Sequence, residues 1–251
     1  MNAMFSEARV KVSHRLAMHL HVDRFRLRNT TPMVSFTFDD LPKSAVTSGA
    51  ELLEAHGARG TFYVSGGLVG VGTPYWAAGD AADVLSLYRR GHEIGCHTFS
   101  HQRTCDLDVA SLANEIMRNR GYFRALDPSI ETQTFAYPYG YGSFGRKHQL
   151  RDQFQTCRSI VPGINSGDDV DLQFLRAMPL IDRQIDRVGI ERVFDAAETN
   201  NGWLIFYGHD VAERPSPWGC SPALLNYALE VAARRKIPVL TMAEALQCAR
   251  T

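Results

Sequence analysis

The sequence predicts an α/β fold, a distorted (β/α)7-8 barrel in which parallel strands alternate with helices. From residue 33 to the C-terminus, short apolar runs rich in β-branched and aromatic residues alternate with amphipathic segments. The 251 residues are 45% hydrophobic and 22% charged, which is typical of a globular protein with a large core. No sequence repeat or low-complexity tract interrupts the alternation. An open doubly wound sheet is the alternative architecture.

Eight segments are predicted to be strands because each is short, apolar and bounded mostly by Gly, Pro or polar residues. They are residues 33–38, 60–64, 93–97, 134–137, 155–160, 177–181, 203–207 and 238–240. Four amphipathic segments are predicted to be helices: 45–56, 81–90, 110–126 and 223–235. Gly57 and Gly91 end the first two helices, whereas Asp108 and Pro222 begin the last two.

The chain is predicted to form one domain, residues 33–251, preceded by an N-terminal extension, residues 1–32. The strand alternation begins only at residue 33, which sets this boundary. Two segments rich in Gly and Pro, 65–80 and 138–145, lie inside the alternation and are interpreted as long loops over a site.

Charge and cysteine content limit the possible functions. Lys and Arg number 27, as do Asp and Glu, so no strong field favours nucleic acid as a partner. Five scattered cysteines without a CxxC pair predict free thiols in a reducing compartment. The first 31 residues contain no apolar signal-peptide core, and no later segment is apolar enough for a membrane span. The expected location is therefore the cytoplasm.

Asp39 and Asp40 directly follow the first predicted strand. Catalytic groups of α/β barrels lie at the carboxyl ends of strands. Because adjacent side chains project differently, one carboxylate could bind a metal while the other accepts a proton. The alternative is an acidic turn that caps the next helix.

His97 and His101 follow the third predicted strand. Two histidines separated by three residues can face one ion when the segment turns helically. Together with a carboxylate from another strand end they would form a His₂Asp site, which suits Zn²⁺ and would also accept Fe²⁺, Co²⁺ or Mn²⁺. Either histidine alone would more often be a surface or core residue.

Two further strand ends carry polar or aromatic groups. The loop Tyr137-Pro138-Tyr139-Gly140-Tyr141 could direct backbone amides into a pocket and stack tyrosine rings on a flat or sugar-like ligand. An aromatic turn that only packs is the alternative. The strand 203–207 ends before Gly208 and His209, where a surface or capping histidine is equally compatible with the pattern.

The order of these four strand ends resembles the polysaccharide deacetylase family, the NodB-homology domain of carbohydrate esterase family 4. The resemblance covers residues 33–245. Segment 37–40 is similar to the first motif of the family, 97–101 to its H-[ST]-x-x-H zinc motif and 135–140 to its aromatic loop motif. His209 stands where the family carries a catalytic histidine.

The resemblance implies a metal-dependent hydrolase that removes N-acetyl groups from an amino-sugar-containing saccharide. It assigns metal ligation to Asp40, His97 and His101, general base catalysis to Asp39, general acid catalysis to His209 and oxyanion stabilisation to the backbone N–H of Tyr139. The implied cofactor is Zn²⁺ or another divalent cation, such as Co²⁺, Fe²⁺ or Mn²⁺. A cytoplasmic member is expected to act on a lipid-linked, nucleotide-linked or short oligosaccharide precursor.

The sequence departs from the family in two motifs. The third usually reads Arg-Pro-Pro-Tyr-Gly, but here the segment 136–140 reads Ala-Tyr-Pro-Tyr-Gly, so the arginine that pairs with the base is missing. Arg176 is the candidate that replaces it and tunes Asp39, unless it is only a solvated charge at a strand end. The acidic fourth motif has an approximate counterpart, residues 167–171, that lacks the usual Trp.

Tyr137, Tyr141 and Trp76 are candidates for stacking on the substrate, although packing within loops would also explain them. Two other functions are compatible with the same architecture. One is hydrolysis of another non-peptide C–N bond in a cyclic amide or ureide. The other is carbohydrate binding by a barrel that has lost its reaction.

Overall fold

A curled sheet of parallel strands forms the centre of the fold. The computed structural model of the protein describes the backbone of residues 2–251 and the side chains of residues 7–8 and 10–251. Within these residues the strands are β1 (Arg24–Phe25), β2 (Met33–Asp39), β3 (Thr61–Val64), β4 (Glu93–Cys96), β5 (Thr134–Ala136), β6 (Thr156–Arg158), β7 (Val170–Asp171), β8 (Met178–Pro179) and β9 (Trp203–Gly208). The main sheet has the order β6-β5-β4-β3-β2-β9-β8, whereas β1 and β7 pair separately and antiparallel.

Helices connect and cover the strands. They are α1 (Asn2–His19), α2 (Ala50–Ala55), α3 (Ala81–Arg89), α4 (Val109–Leu126), α5 (Phe144–Arg151), α6 (Arg187–Thr199), α7 (Pro222–Arg234) and α8 (Met242–Arg250). A π-helical turn, Ala45–Gly49, leads into α2. The predicted Asp108 cap is present, because its side chain accepts the Ser111 N–H. Among residues 2–251, no helix combines the length and the apolar character needed to cross a membrane.

The predicted fold class is confirmed, because seven of the eight predicted strands are present in one parallel sheet. The eighth, 238–240, forms a single bridge between Val239 and Val34. The Val34 N–H donates to the Pro238 carbonyl and the Leu240 N–H donates to the Val34 carbonyl, but from Thr37 onward this edge of β2 pairs with β3, so the segment cannot extend into a strand.

The central strand β2 is buried along all seven residues, as expected for a parallel sheet covered on both faces. Phe36 stacks on Phe206 at 5.3 Å between ring centroids, and Phe38 stacks on Phe62 at 5.1 Å. Since the strands are parallel, the residues that follow β2, β4, β5 and β9 all emerge at one edge of the sheet.

The N-terminal segment contacts the barrel. Lys147 of α5 is buried and donates hydrogen bonds of 2.9 Å to the carbonyl groups of Ala17 and Leu20 at the end of α1. The same ammonium group pairs with Asp171. The division of the chain into an extension, 1–32, and a domain, 33–251, stays a prediction.

Candidate active site

Three potential ligand side chains meet at the carboxyl edge of the sheet. Asp40 follows β2, and His97 and His101 lie on the loop after β4. The Asp40 Oδ1 atom lies 3.4 Å from His101 Nε2 and 3.8 Å from His97 Nε2. One donor atom from each residue lies within 4.8 Å of the other two. The structure therefore brings together the three residues for which the sequence predicts metal ligation, and that role stays a prediction.

Both imidazoles of this cluster are held in the neutral form. His97 Nδ1 lies 2.8 Å from the Ala136 carbonyl oxygen, which can only accept, so this nitrogen carries the proton and Nε2 offers a lone pair. Burial lowers the pKa of His97 to about 3 and also lowers the pKa of His101. A neutral imidazole nitrogen is the form that binds a metal ion.

The surroundings of the Asp40 carboxylate indicate whether this cluster suits a cation. Its Oδ1 atom is buried and has no hydrogen-bond partner within the described residues. Burial raises the pKa of Asp40 to about 6. An orphaned buried oxygen is unfavourable, and a divalent cation would both satisfy it and hold the carboxylate ionised. Two neutral nitrogens and one carboxylate oxygen thus fit Zn²⁺, and Co²⁺, Fe²⁺ and Mn²⁺ accept the same donors.

Asp39 is paired with a buried cation. The Nη2 group of Arg158, at the end of β6, donates to Asp39 Oδ1, and both side chains are buried. The guanidinium group also lies 5.1 Å from the Tyr63 ring and 5.6 Å from the Tyr207 ring. Burial is the largest single influence and would raise the pKa of Asp39, but the charge and hydrogen bond of Arg158, together with the nearby His97 and His209, lower the pKa below its usual value. Asp39 is therefore ionised at neutral pH.

The expectation that Arg176 tunes Asp39 is wrong. Arg176 is exposed, and its Nη1 group donates to the Pro162 carbonyl at 3.1 Å. One signal in the sequence could have identified Arg158 instead. It is the charged residue inside the predicted strand 155–160, and a charge in a buried strand requires a buried partner. An arginine from β6 thus pairs with Asp39, where the resemblance implies an arginine from the third motif.

A second residue that the sequence analysis missed holds the loop with the two histidines. The buried Glu115 of α4 accepts the N–H groups of Phe99 and Ser100 at 2.9 and 2.7 Å, and the Ser100 hydroxyl at 2.7 Å. On this loop Thr98 and His101 have positive φ angles of 60° and 54°, which L-residues rarely adopt. Such a conformation persists only where the surroundings impose it. Glu115 is therefore a positioning residue.

His209 is the fourth polar group at the cluster. Its Nε2 atom lies 3.8 Å from Asp40 Oδ2, and its Nδ1 atom lies 3.4 Å from the Trp218 carbonyl oxygen. Because that carbonyl only accepts, Nδ1 carries the proton and Nε2 remains available to the cavity. Asp210 fixes the loop that bears Trp218, since it accepts the hydroxyl and the N–H of Ser216.

A cavity of about 700 Å³ contains these groups. Its aromatic lining residues are Tyr75, Trp76, Tyr139, Tyr141, Tyr207 and Trp218. The Trp76 ring lies 5.5 Å from the His209 ring, and the Tyr139 ring lies 4.4 Å from the His101 ring. Within the described lining, the acids are Asp39 and Asp40, and there is no Lys or Arg. Flat apolar walls around polar groups suit one face of a sugar ring.

Tyr137 does not line the cavity, so the prediction that it stacks on a substrate is wrong. It is buried, and its hydroxyl donates to the Gln173 carbonyl at 2.8 Å. Two residues later, Tyr139 adopts a left-handed conformation with φ 58°. This turn breaks the regular alternation of side chains, which places Tyr137 in the core and leaves Tyr139 58% exposed. Trp76 and Tyr141 do line the cavity.

The acidic segment 167–171 lies outside the cavity as well. Asp168 pairs with Arg26 at 3.0 Å, and the buried Asp171 pairs with Lys147. These carboxylates connect the N-terminal segment to the barrel, so the sequence similarity to the fourth motif of the family does not extend to the site.

The fold and the site define a class of protein, a curled parallel α/β barrel with a carboxylate–histidine cluster at the carboxyl edge of its sheet. The model of the polysaccharide deacetylase family matches residues 26–152, just over half of the chain. The chain therefore belongs to the polysaccharide deacetylase family. The matched range contains the Asp-Asp, His-x-x-x-His and Tyr-Pro-Tyr-Gly segments and ends before Arg158 and His209.

Curated relatives carry related names. A "Probable peptidoglycan-N-acetylglucosamine deacetylase" of Arthroderma benhamiae is 28% identical over 213 residues, which are 85% of this chain and 44% of that protein. A chitin deacetylase of the same organism is 31% identical over 86 residues, which are 34% of this chain and 22% of that protein. The chain thus spans less than half the length of these relatives.

Solved structures share the fold. A family 4 acetyl xylan esterase from Clostridium thermocellum, solved with a cobalt ion, has a TM-score of 0.60 at 19% identity and covers 86% of this chain and 90% of its own. Peptidoglycan deacetylase PdaC from Bacillus subtilis has a TM-score of 0.56 at 15% identity and covers 88% of this chain and 93% of its own.

Proposed function

We propose that this protein is a metal-dependent hydrolase that removes N-acetyl groups from the amino sugars of a glycan or saccharide precursor. One observation carries the proposal: two neutral imidazoles and an orphaned carboxylate oxygen converge beside an ionised Asp39 and an available His209, within an aromatic cavity. Membership in the polysaccharide deacetylase family supports the same reaction.

Asp40, His97 and His101 are the residues that would hold the cation, since their donor atoms already lie within 4.8 Å of one another. When bound there, a divalent ion supplies Lewis acidity towards a carbonyl oxygen and makes water more acidic. The structure favours no particular metal among those with these ligand preferences, and Zn²⁺ is our first choice.

Asp39 is the proposed general base. Arg158 keeps this carboxylate ionised and fixes Oδ1, while the side chain lines the cavity. It would accept a proton from the water that adds to the acetyl carbonyl carbon. The C–N bond then breaks, and acetate and a free amine leave.

His209 is the proposed general acid. Amines are poor leaving groups unless they are protonated, and His209 Nε2 faces the cavity while Nδ1–H is anchored by the Trp218 carbonyl, so an imidazole that also carries a proton on Nε2 would donate that proton to the leaving nitrogen. The backbone N–H of Tyr139, in its left-handed turn at the cavity wall, is our candidate for stabilising the oxyanion. Trp76 and Tyr141 would stack on the sugar.

Acetate release from N-acetylglucosamine oligomers by the zinc-reconstituted protein tests the reaction. We expect release from these oligomers and none from allantoin-type cyclic ureides. Asp39→Asn should retain zinc but lose turnover, whereas Asp40→Asn should lose zinc. His148→Ala, on an exposed histidine of α5, is the matched control and should change neither property.

Zinc binding also has a readout that is independent of turnover. Addition of Zn²⁺ should raise the thermal midpoint of the wild-type protein, because the ion binds the folded state. Asp40→Asn should abolish this rise. Zinc content below one tenth of an equivalent in the wild-type protein, or full turnover by Asp39→Asn, would contradict the assignments.

A further inference from the structure

A second cavity, of about 730 Å³, adjoins the active-site cavity. Both cavities are bordered by Tyr139, Gly140, Tyr141 and Ile160, so this ridge separates them. The far wall of the second cavity is helix α1, through Ala8, Lys11, Val12, His14 and Arg15. A saccharide that extends from the cluster across the ridge would reach this wall.

The second cavity differs from the first in charge. Within its described lining, Lys11 and Arg15 are permanent cations and there is no carboxylate. Glu7, the acidic residue of α1, lies one turn before Lys11 on the same face of the helix but does not line the cavity. Lys11 and Arg15 are spaced i, i+4, which places both on the same face of the helix. Both side chains are exposed and therefore available to a ligand.

His14 also lines the second cavity, but it does not contribute a positive charge. Burial lowers the pKa of His14, and its Nδ1 atom accepts the Gly142 N–H at 3.2 Å. Its ring lies 5.4 Å from the Tyr141 ring and 5.8 Å from the Phe174 ring. The neutral ring therefore attaches α1 to the ridge.

Two further contacts fix α1 in this position. The Ser13 hydroxyl accepts the Phe144 N–H at 3.3 Å, and the buried Lys147 binds the carbonyl groups of Ala17 and Leu20. The basic face is thus held beside the active site by buried or half-buried groups along the helix, rather than by one flexible attachment.

We propose that Lys11 and Arg15 bind an acidic group of the substrate, a carboxylate or a phosphate, that lies beyond the sugar being deacetylated. This inference rests on the proposed function and narrows its substrate to an acidic N-acetylated saccharide. The active-site cavity offers no Lys or Arg within its described lining, so the acidic group is accommodated at α1 and not beside Asp39 and Asp40.

The test compares wild type with Lys11→Gln/Arg15→Gln, since glutamine preserves helix propensity and removes both charges. Arg89→Gln/Arg192→Gln is the matched control: these exposed arginines of α3 and α6 line neither cavity, and the net charge changes equally. The probes are an N-acetylglucosamine tetramer, a tetrasaccharide of N-acetylglucosamine alternating with glucuronate, and an N-acetylglucosamine tetramer that carries a terminal phosphate.

We expect the α1 double variant to raise KM for the acidic probes by about 3- to 20-fold, the combined effect of two exposed ion pairs, with kcat unchanged. KM for the neutral tetramer and all constants of the control variant should stay at wild-type values. The larger of the two acidic effects identifies carboxylate or phosphate as the preferred group. An unchanged KM for both acidic probes, or an equal rise for the neutral one, would overturn the inference.

Calorimetric binding of the same probes separates this inference from the proposed function. If the wild-type protein releases acetate from no probe, the proposed function fails. Binding of an acidic group by Lys11 and Arg15 is still supported if the acidic probes bind the wild-type protein more tightly than the neutral probe does, and if all three probes bind the α1 double variant with equal affinity. Equal binding of all three probes would refute it.

Discussion

Replacement of Arg158 by methionine is the most direct test of how the site is built. Arg158 is fully buried and its guanidinium group pairs with Asp39, which is also buried. Loss of one partner leaves a buried carboxylate without compensation, which costs about 3–5 kcal/mol of the free energy of unfolding. In a chain of 251 residues this corresponds to a fall of roughly 6–20 °C in the thermal midpoint. Methionine retains an unbranched apolar side chain between the Tyr63 and Tyr207 rings, so little packing is lost.

Urea unfolding at neutral pH measures this cost, and Arg176→Met is the matched control. Arg176 is exposed, so its replacement should change the free energy of unfolding by less than about 1 kcal/mol. The double variant Asp39→Asn/Arg158→Met should recover part of the loss, because it removes both buried charges. Acetate release should fall by at least about 100-fold in Arg158→Met, since burial without the arginine raises the pKa of Asp39 and protonates the base.

The reasoning would be refuted if Arg158→Met cost no more than Arg176→Met. It would also fail if the double variant were less stable than Arg158→Met, because the buried carboxylate would then not be the source of the cost.

Three other expectations follow from the geometry. His209→Ala should retain its zinc, as measured by elemental analysis, but lower kcat by about 10²–10⁴, the usual range for a general acid. Gly219→Ala should lower the free energy of unfolding by about 1–3 kcal/mol and raise KM, because a Cβ atom there would lie 2.2 Å from Asp210 Oδ1 and displace the loop that forms one cavity wall. Glu191 has a pKa lowered from 4.5 to about 2, first by the Tyr227 hydroxyl and then by Arg235, which follows α7, and Arg234, the last residue of α7. Its contribution should be present above pH 4.5 and lost as the pH falls towards 2, so the urea midpoints of wild type and Glu191→Gln should converge over that range.

The strand ends could be predicted from the sequence because the parallel sheet translates order along the chain into position in space. Asp40, His97, Tyr139 and His209 each follow a buried apolar strand, and parallel strands end at a common edge. No knowledge of long-range contacts is needed for that step. The short distances between their atoms could not be predicted in this way, because they depend on the backbone angles of the residues that follow the strands.

The residue that pairs with Asp39 could not be predicted from the order of the strands along the chain alone. Arg176 lies beside a strand that is a plausible neighbour, but it is exposed, whereas Arg158 is the buried last residue of β6 and pairs with Asp39. Burial of a charge is a stronger criterion than proximity to a strand end, since a buried guanidinium group must find a carboxylate. The prediction for Tyr137 failed because the sequence pattern treats the tyrosines of this loop alike, whereas in the structure Tyr137 is buried and Tyr139 and Tyr141 line the cavity.

The position of α1 against the barrel could not be predicted from the sequence, for a different reason. Its residues form no continuous apolar stripe, so hydrophobic periodicity gives no face for docking. The helix is attached by the buried Ala17, which packs into the core, and by polar contacts from distant residues, among them Lys147 to the carbonyl groups at its end. Such contacts become recognisable only when α5 and α1 have been brought together.

Four residues at the cluster have a strained backbone conformation, and the buried sheet and its supporting residues hold them in it. Asp40, Thr98, His101 and Tyr139 all have φ between 54° and 64°, and each left-handed residue costs about 1–2 kcal/mol. The rigid end of β2 and the Glu115 carboxylate offset that cost by holding the donor atoms together before any ion arrives. A cation that binds there would require little rearrangement of the loops, and the same backbone keeps Tyr139 at the ridge between the two cavities. Under the two proposals, backbone strain, metal affinity and the placement of an extended substrate would all depend on this one edge of the sheet.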